Sequence, residues 1–312
     1  MATTMTAPLL VCALSCNEQS EPKYRNPVLP VEERVQDLLS RMTLDEKLAQ
    51  ITCVLSYSRN AFFTLFDSLG ALNLPMADTL FANGLGHIRI DQSLNLKPRS
   101  SAIAANNLQR YLKEKTRLGI PAILHEEGLH GHVNLHATSF SMPIGLASTW
   151  DPELAELLYA MTAEEIRSRG SHYVLAPVVD LGREQRWGRT EETFGEDPYL
   201  VAQMGLAAVR GFQGRDSVID NTKHIFATLK HFLHGEPEGG RNLAPFKSSE
   251  RTMREVFLYP FKVCVTKGKV ESIMASYNEL DGIPCLTNRW LLQDVLRDEW
   301  GFKGAVVSDY WS

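Results

Sequence analysis

Cysteine is scarce in this chain of 312 residues: there are five, and two of them, Cys12 and Cys16, fall within the first 20 positions. Cys53, Cys264 and Cys285 stand far apart without metal-ligand spacing, so neither a disulfide scaffold nor a cysteine-based metal centre is indicated, and all three read as core or half-buried thiols. Basic excess is missing too. The formal net charge is −5, which gives no electrostatic case for nucleic acid or an anionic membrane as partner. No segment is long and apolar enough to span a bilayer. A glycine-rich dinucleotide turn is also lacking, since Asp91-Gln92-Ser93-Leu94 stands after the first apolar run. Residues 7–16 are apolar and of signal-peptide length, but no Lys or Arg precedes them. Periplasmic or secreted placement, with Cys16 as a lipoprotein acceptor, and a cytoplasmic protein with a ragged start both stay open. Residues 1–25 are therefore set apart as a leader-like or disordered segment from the body, 26–312.

What the chain does have is a repeated pattern. Six short apolar runs end in polar clusters: Gly86 to Asp91, Pro121 to Glu127, Tyr173 to Asp180, Ile225 to His231, Ser272 to Asn278 and Ala305 to Asp309. Continuous apolar runs are the signature of buried parallel strands, and helices between them force crossover connections. The spacing predicts lead-in helices from Val31 to Leu39 and from Leu44 to Ile51, the second opened by a Thr43/Glu46 capping box. Further helices are predicted over Ser100 to Lys115, Asp151 to Arg169, Asp197 to Gly211, Ser249 to Thr266 and Asn288 to Trp300. The fold class is α/β, a TIM-type (β/α)8 barrel of which six units are visible. Two more would need about 60 residues. The expectation is a barrel cut short, with the first and sixth strands as edges and poor solubility on its own.

Residues past the C-terminal ends of barrel strands line the mouth where chemistry takes place. Here they are Glu126, Glu127, His130, His132, Asp180, Lys230, His231, Tyr277, Asn278 and Asp309. So many hydrogen-bonding groups with few large apolar ones suit a neutral, polyhydroxylated ligand such as a sugar ring. His125, Glu126, His130 and His132 also invite comparison with a metal site. No His-x-x-x-His or Glu-x-x-His pair sits on a clear helix, so the sugar reading ranks first and no metal is assigned.

The same residues carry a resemblance to family 3 glycoside hydrolases, the β-glucosidase and β-xylosidase family. It runs through Met42-Thr43-Leu44-Asp45-Glu46-Lys47, His125-Glu126-Glu127-Gly128-Leu129-His130-Gly131, Arg186-Trp187-Gly188-Arg189 and Glu192 to Pro198, then Lys230-His231-Phe232, Pro237 to Arg241 and Ser308-Asp309-Tyr310-Trp311. The resemblance implies a retaining exo-β-glycosidase acting on an oligosaccharide or other β-glycoside without a cofactor. Asp309 takes the place of its nucleophile, and Glu127 that of a carboxylate gripping sugar hydroxyls, although neighbouring Glu126 leaves the register open. Lys230 and His231 match paired sugar-binding residues, and Arg186 matches the arginine of the Arg-Trp-Gly-Arg segment. Arg186 or Arg189 could instead pair with Glu191, Glu192 or Glu196. Tyr277 is either a hydroxyl that orients the nucleophile or a packed aromatic.

One requirement is unmet. Retaining hydrolysis needs a second carboxyl about 5 Å from the first to protonate the leaving oxygen. In two-domain members it comes from a later α/β sandwich domain, which is not within these residues. The loop Leu233 to Arg241 lacks the Asp-His pair of the family's single-domain hexosaminidases, though His234, Glu236 and Glu238 each carry a proton-transferring group. Two expectations follow: a β-glycosidase whose gene product is longer, or an inactive, sugar-binding remnant. Which sugar is cleaved and the oligomeric state are not legible.

Overall fold

The computed structural model describes residues 21–55, 65–90, 96–215 and 222–312. The expectations for residues 1–20 and for Asp91 to Leu94 lie outside these ranges. The chain divides into two compact units, 1–47 and 48–312. In the first, helix α1 (Val31–Arg41) follows a short turn at Lys23–Arg25, and Arg34 Nε donates to the Tyr24 carbonyl at 3.0 Å. Helix α2 (Leu44–Gln50) begins with the predicted capping box. The Thr43 backbone N–H donates to Glu46 Oε2 at 2.9 Å, and the Glu46 N–H to Thr43 Oγ1 at 3.2 Å.

The second unit is built on a parallel sheet of seven strands in the order β1-β2-β3-β4-β5-β6-β9. These are β1 (Cys53–Leu55), β2 (His87–Arg89), β3 (Ile123–Glu126), β4 (Tyr173–Val174), β5 (Phe226–Phe232), β6 (Ser272–Ala275) and β9 (Ala305–Ser308). A two-stranded hairpin, β7 (Glu279–Leu280) with β8 (Ile283–Pro284), follows β6. Helices α3 (Leu74–Leu80), α4 (Pro98–Lys115), α5 (Pro143–Ala147), α6 (Pro152–Ser168) and α7 (Pro198–Gln213) fill the early crossovers. The segment Glu250–Thr252, π-wound Met253–Phe257 and Leu258–Thr266 carries β5 to β6, and π-wound Trp290–Glu299 carries β6 to β9.

The count of six strands is therefore corrected to seven. Strand β1 has only three residues and follows a helix directly, too short to show any pattern, and it takes the edge position expected for Gly86 to Asp91. The run Tyr173 to Asp180 is also not one strand. Its ladder holds Tyr173 and Val174 and resumes only as a bridge between Val178 and Lys230, on either side of Pro177, which has no N–H to donate.

Sequence signals account for the helices. Asp151 and Asp197 cap α6 and α7, accepting from Leu154 N at 2.9 Å and Leu200 N at 2.7 Å, each with proline at the first helical position. Gly170 ends α6 at φ 99°, a conformation that costs glycine little. Helices α6 and α7 approach closely because Gly211 has no side chain: a Cβ there would lie 2.5 Å from the Glu156 carbonyl oxygen. Between the helices and the sheet, Phe212, Phe261, Leu229 and Ile273 are fully buried. Truncating either phenylalanine to alanine removes about 3–5 kcal/mol.

A second, inner cluster shows that the sheet curls. Tyr173, Leu175 and Met274 pack with Phe226, Val307 and Tyr310 on the face opposite the helices. His125 Nε2 lies 2.8 Å from the Tyr310 hydroxyl. In a flat sheet β3 and β9, four spacings apart, would be separated by about 19 Å. This contact requires a barrel-like curvature, and the architecture is the TIM-type one expected.

Candidate active site

Strand β5 supplies two neighbouring side chains to the mouth. Alternation would send consecutive residues to opposite faces, but the β5–β6 register shifts between Leu229 and Phe232, a bulge that admits one extra residue. Lys230 and His231 consequently both reach partners past the ends of β3 and β4, Glu127 half-buried and Asp180 buried. Lys230 Nζ donates to Glu127 Oε2 at 3.1 Å. The His231 backbone N–H and its Nδ1 both meet Asp180 Oδ2, at 2.9 Å and 2.7 Å.

The charge state of His231 follows from its surroundings. Burial, with Arg189 and Lys230 nearby, pulls its pKa down to about 3, so the imidazole is neutral near pH 7. Arg189 Nη2, which can only donate, lies 3.1 Å from His231 Nε2. That leaves the ring proton on Nδ1, donated to Asp180. Burial lifts Asp180 to about 6, still ionised at neutral pH. Asp309, directly after β9, brings Oδ2 to 3.7 Å from His231 Nε2, a contact with a neutral ring and not an ion pair. Its Oδ1 accepts the Tyr310 N–H at 2.7 Å.

Arg189 and Glu192 form a bidentate pair, both bonds 2.8 Å. Burial works against both charges, and the pair outweighs it: Arg189 is held above its ordinary value and Glu192 below. Tyr277, past the end of β6, donates to the Tyr310 carbonyl at 2.6 Å. Burial, and then the Asp309 charge, push its hydroxyl pKa up. Trp187 closes one side, its ring centroid 4.2 Å from that of His234 and its Nε1 bonded to Asn242 Oδ1 at 2.8 Å.

The structure brings Glu127, Lys230, His231, Tyr277 and Asp309 together and leaves Arg186 outside. Arg186 is mostly exposed and bound to Glu184 through bonds of 2.8 Å and 2.7 Å, a partner not among the three considered. Gly188, at φ 77°, turns the chain between the two arginines, so Arg189 enters the cluster instead. Asp180, Glu192 and Trp187 join it. The two adjacent glutamates point to different partners. Glu127 faces Lys230, whereas Glu126 is buried beside Arg89 and His132, each 3.5 Å away. His130 is bonded to Ser139 Oγ at 3.3 Å. In the loop after β5, His234 is buried and pulled down to about 4 by burial. Glu236 and Glu238 there are exposed, with Glu238 3.8 Å from Lys247.

Comparison with known proteins identifies the family of the chain. Residues 43–312 match the family model described as the glycosyl hydrolase family 3 N terminal domain. A beta-xylosidase of Formosa agariphila is 42% identical over 201 residues, 62% of this chain and 28% of that protein. The periplasmic beta-glucosidase of Salmonella typhimurium is 31% identical over 93% of this chain and 35% of its own length. Among solved structures, a β-glucosidase from Erythrobacter marinus superposes with a TM-score of 0.81 at 35% identity, over 93% of this chain and 38% of that one. The chain thus spans well under half the length of the relatives it matches. It belongs to glycosyl hydrolase family 3, and its second unit lies within the family's N-terminal domain.

Proposed function

We propose that this chain carries the sugar-binding groups and the nucleophile of a retaining exo-β-glycosidase, acting on terminal β-linked glucose or a related sugar. The observation that supports it is the setting of Asp309. Its carboxylate takes one backbone N–H, has the Tyr277 hydroxyl beside it and faces a neutral imidazole, while Asp180, Glu127 and Glu192 are each engaged by His231, Lys230 or Arg189. A lone pair on Asp309 is thus available to attack an anomeric carbon, giving a glycosyl-enzyme that water later releases. Lys230, Arg189 and Glu127 have the donors and acceptors to hold ring hydroxyls through charge-assisted bonds. No cofactor enters, since both steps run on carboxyl groups.

The proton donor for the leaving group is a separate matter. Because the three carboxylates around Asp309 are committed, we assign the acid/base to a group outside this cluster. The same observation favours a second reading, a chain that binds a sugar or is glycosylated once without turning over. Nitrophenyl β-glucoside and β-xyloside separate the two, because nitrophenol leaves with little protonation. Steady release supports the first reading. A single burst, with one glycosyl unit added to the Asp309 peptide by mass spectrometry, supports the second. Neither release nor mass gain in a cooperatively folded chain defeats both.

A further inference from the structure

On the inner face of the first three strands, away from Asp309, lies a group of ligand-type side chains that the glycosidase reading does not use. Cys53 pairs in register with His87, and His87 with Ile123. Partners in a parallel ladder share a face, and so do residues two apart along a strand. Cys53, His87 and His125 therefore point the same way. Tyr173, paired with His125, points with them into the inner cluster. The ligand atoms of Cys53, His87 and His125 all lie within 4.8 Å of one another.

We propose that Cys53, His87 and His125 form a binding site for a borderline-soft divalent cation, zinc first. Thiolate and imidazole are the donors such ions prefer, and tetrahedral coordination by three protein ligands leaves a fourth position for water. A second observation points to a ligand. Among the described residues, His87 Nε2 and His125 Nδ1 are buried and have no hydrogen-bond partner, and His125 is 1% exposed. The Ile88 carbonyl lies beside the His125 ring. Buried imidazole nitrogens normally find a partner, and a metal ion supplies one.

The surroundings are arranged as for a ligand. His125 Nε2 lies 2.8 Å from the Tyr310 hydroxyl, which orients the ring. The nearby positive charge of Arg89 faces the buried Glu126 at 3.5 Å. Cys53 enters the site as a thiol, so metal binding must displace its proton. On binding, the S–H bond breaks, the proton passes to water, the sulfur–metal bond forms, and each imidazole donates a lone pair. The site is independent of the glycosidase reading, and its test uses no substrate.

The test is alkylation of the tag-free, 312-residue chain, stripped with chelator and then treated with iodoacetamide, with or without one equivalent of zinc. Each cysteine peptide is followed by mass spectrometry. The expected result is protection of Cys53 by about tenfold, because a coordinated thiolate is a poor nucleophile. Cys53→Ser and His87→Gln should each lose the retained zinc, and Cys285→Ser should keep it. An alkylation rate at Cys53 that zinc leaves unchanged overturns the proposal, as does zinc retention surviving both substitutions, which would place the ion elsewhere, for instance at Cys12 and Cys16. If His87→Gln fails to fold, Cys53 protection in the parent chain decides alone.

Discussion

Lowering the pH from 7 to 5 should cost the folded chain about 2–3 kcal/mol through three groups of the candidate site. His231 sits at about 3 and His234 at about 4, both chiefly through burial, against an ordinary value of 6.5. From about pH 6.5 downward the unfolded chain takes up protons at these positions and the folded chain does not. The stability they contribute is fully present above 6.5 and is lost as the pH falls toward the folded values. At pH 5 that loss is about 2 kcal/mol for each histidine. Asp180 acts in the opposite sense. Raised from 3.8 to about 6 by burial, it binds a proton first in the folded state. Its contribution grows as the pH drops below 6, offsetting about 1 kcal/mol at pH 5. The net loss is a large part of a typical total of about 5–15 kcal/mol. Urea unfolding should show it as a midpoint about 1 M lower at pH 5 than at pH 7. His234→Gln removes one of the titrating groups and should shrink the difference by about 2 kcal/mol. Midpoints that agree within about 0.2 M would refute the reasoning. So would His231 or His234 ring resonances that titrate near their ordinary value in the folded protein.

Asp309→Asn keeps the shape of the side chain and removes the nucleophilic charge, so nitrophenol release or burst should fall by about three orders of magnitude or more with an unchanged melting temperature. Full activity in that variant would sink the assignment. Arg189→Ala leaves Glu192 partly buried without its cation and should destabilise by about 3 kcal/mol while weakening sugar binding. Arg186→Ala, at an exposed ion pair, should change neither, and thermal melts with a glucose titration distinguish the two. Gly211→Ala drives a Cβ to 2.5 Å from the Glu156 carbonyl and 2.8 Å from Tyr159 Cβ, so the melting temperature should fall despite alanine's better helix propensity, by about 1–3 kcal/mol in stability.

The fold was readable where burial is two-sided. Strands β4 to β6 contribute residues both to the helix-side core and to the inner cluster, so they form continuous apolar runs that stand out without any structure. Strand β1 is not of this kind: Cys53 is exposed and Val54 and Leu55 are half-buried, so three residues with weak burial leave no pattern to read. Caps were legible for a related reason. Asp151-Pro152 and Asp197-Pro198 act through bonds within three residues, and such local chemistry is visible in the sequence alone. The hairpin Glu279–Leu280 with Ile283–Pro284, by contrast, offers two residues per strand, below the length at which alternation can be seen.

The site was legible as an inventory but not as a circuit. Strand ends named Lys230, His231, Asp180, Tyr277 and Asp309, yet nothing in the order of residues says which carboxylate is engaged and which is available. That depends on two backbone events. The bulge in β5 turns both Lys230 and His231 toward partners, and the left-handed turn at Gly188 exchanges Arg186 for Arg189. Once these are in place, proton positions follow one from another. Arg189 can only donate, so His231 Nε2 accepts, so its proton lies on Nδ1 facing Asp180, and the ring shows Asp309 no positive charge. A carboxylate flanked by an imidazolium would have its lone pairs drawn into an ion pair, whereas one facing a neutral ring at 3.7 Å keeps them for an incoming carbon. The nucleophilic character proposed for Asp309 thus rests on the tautomer of His231, which Arg189 sets from a segment more than 100 residues away in the chain.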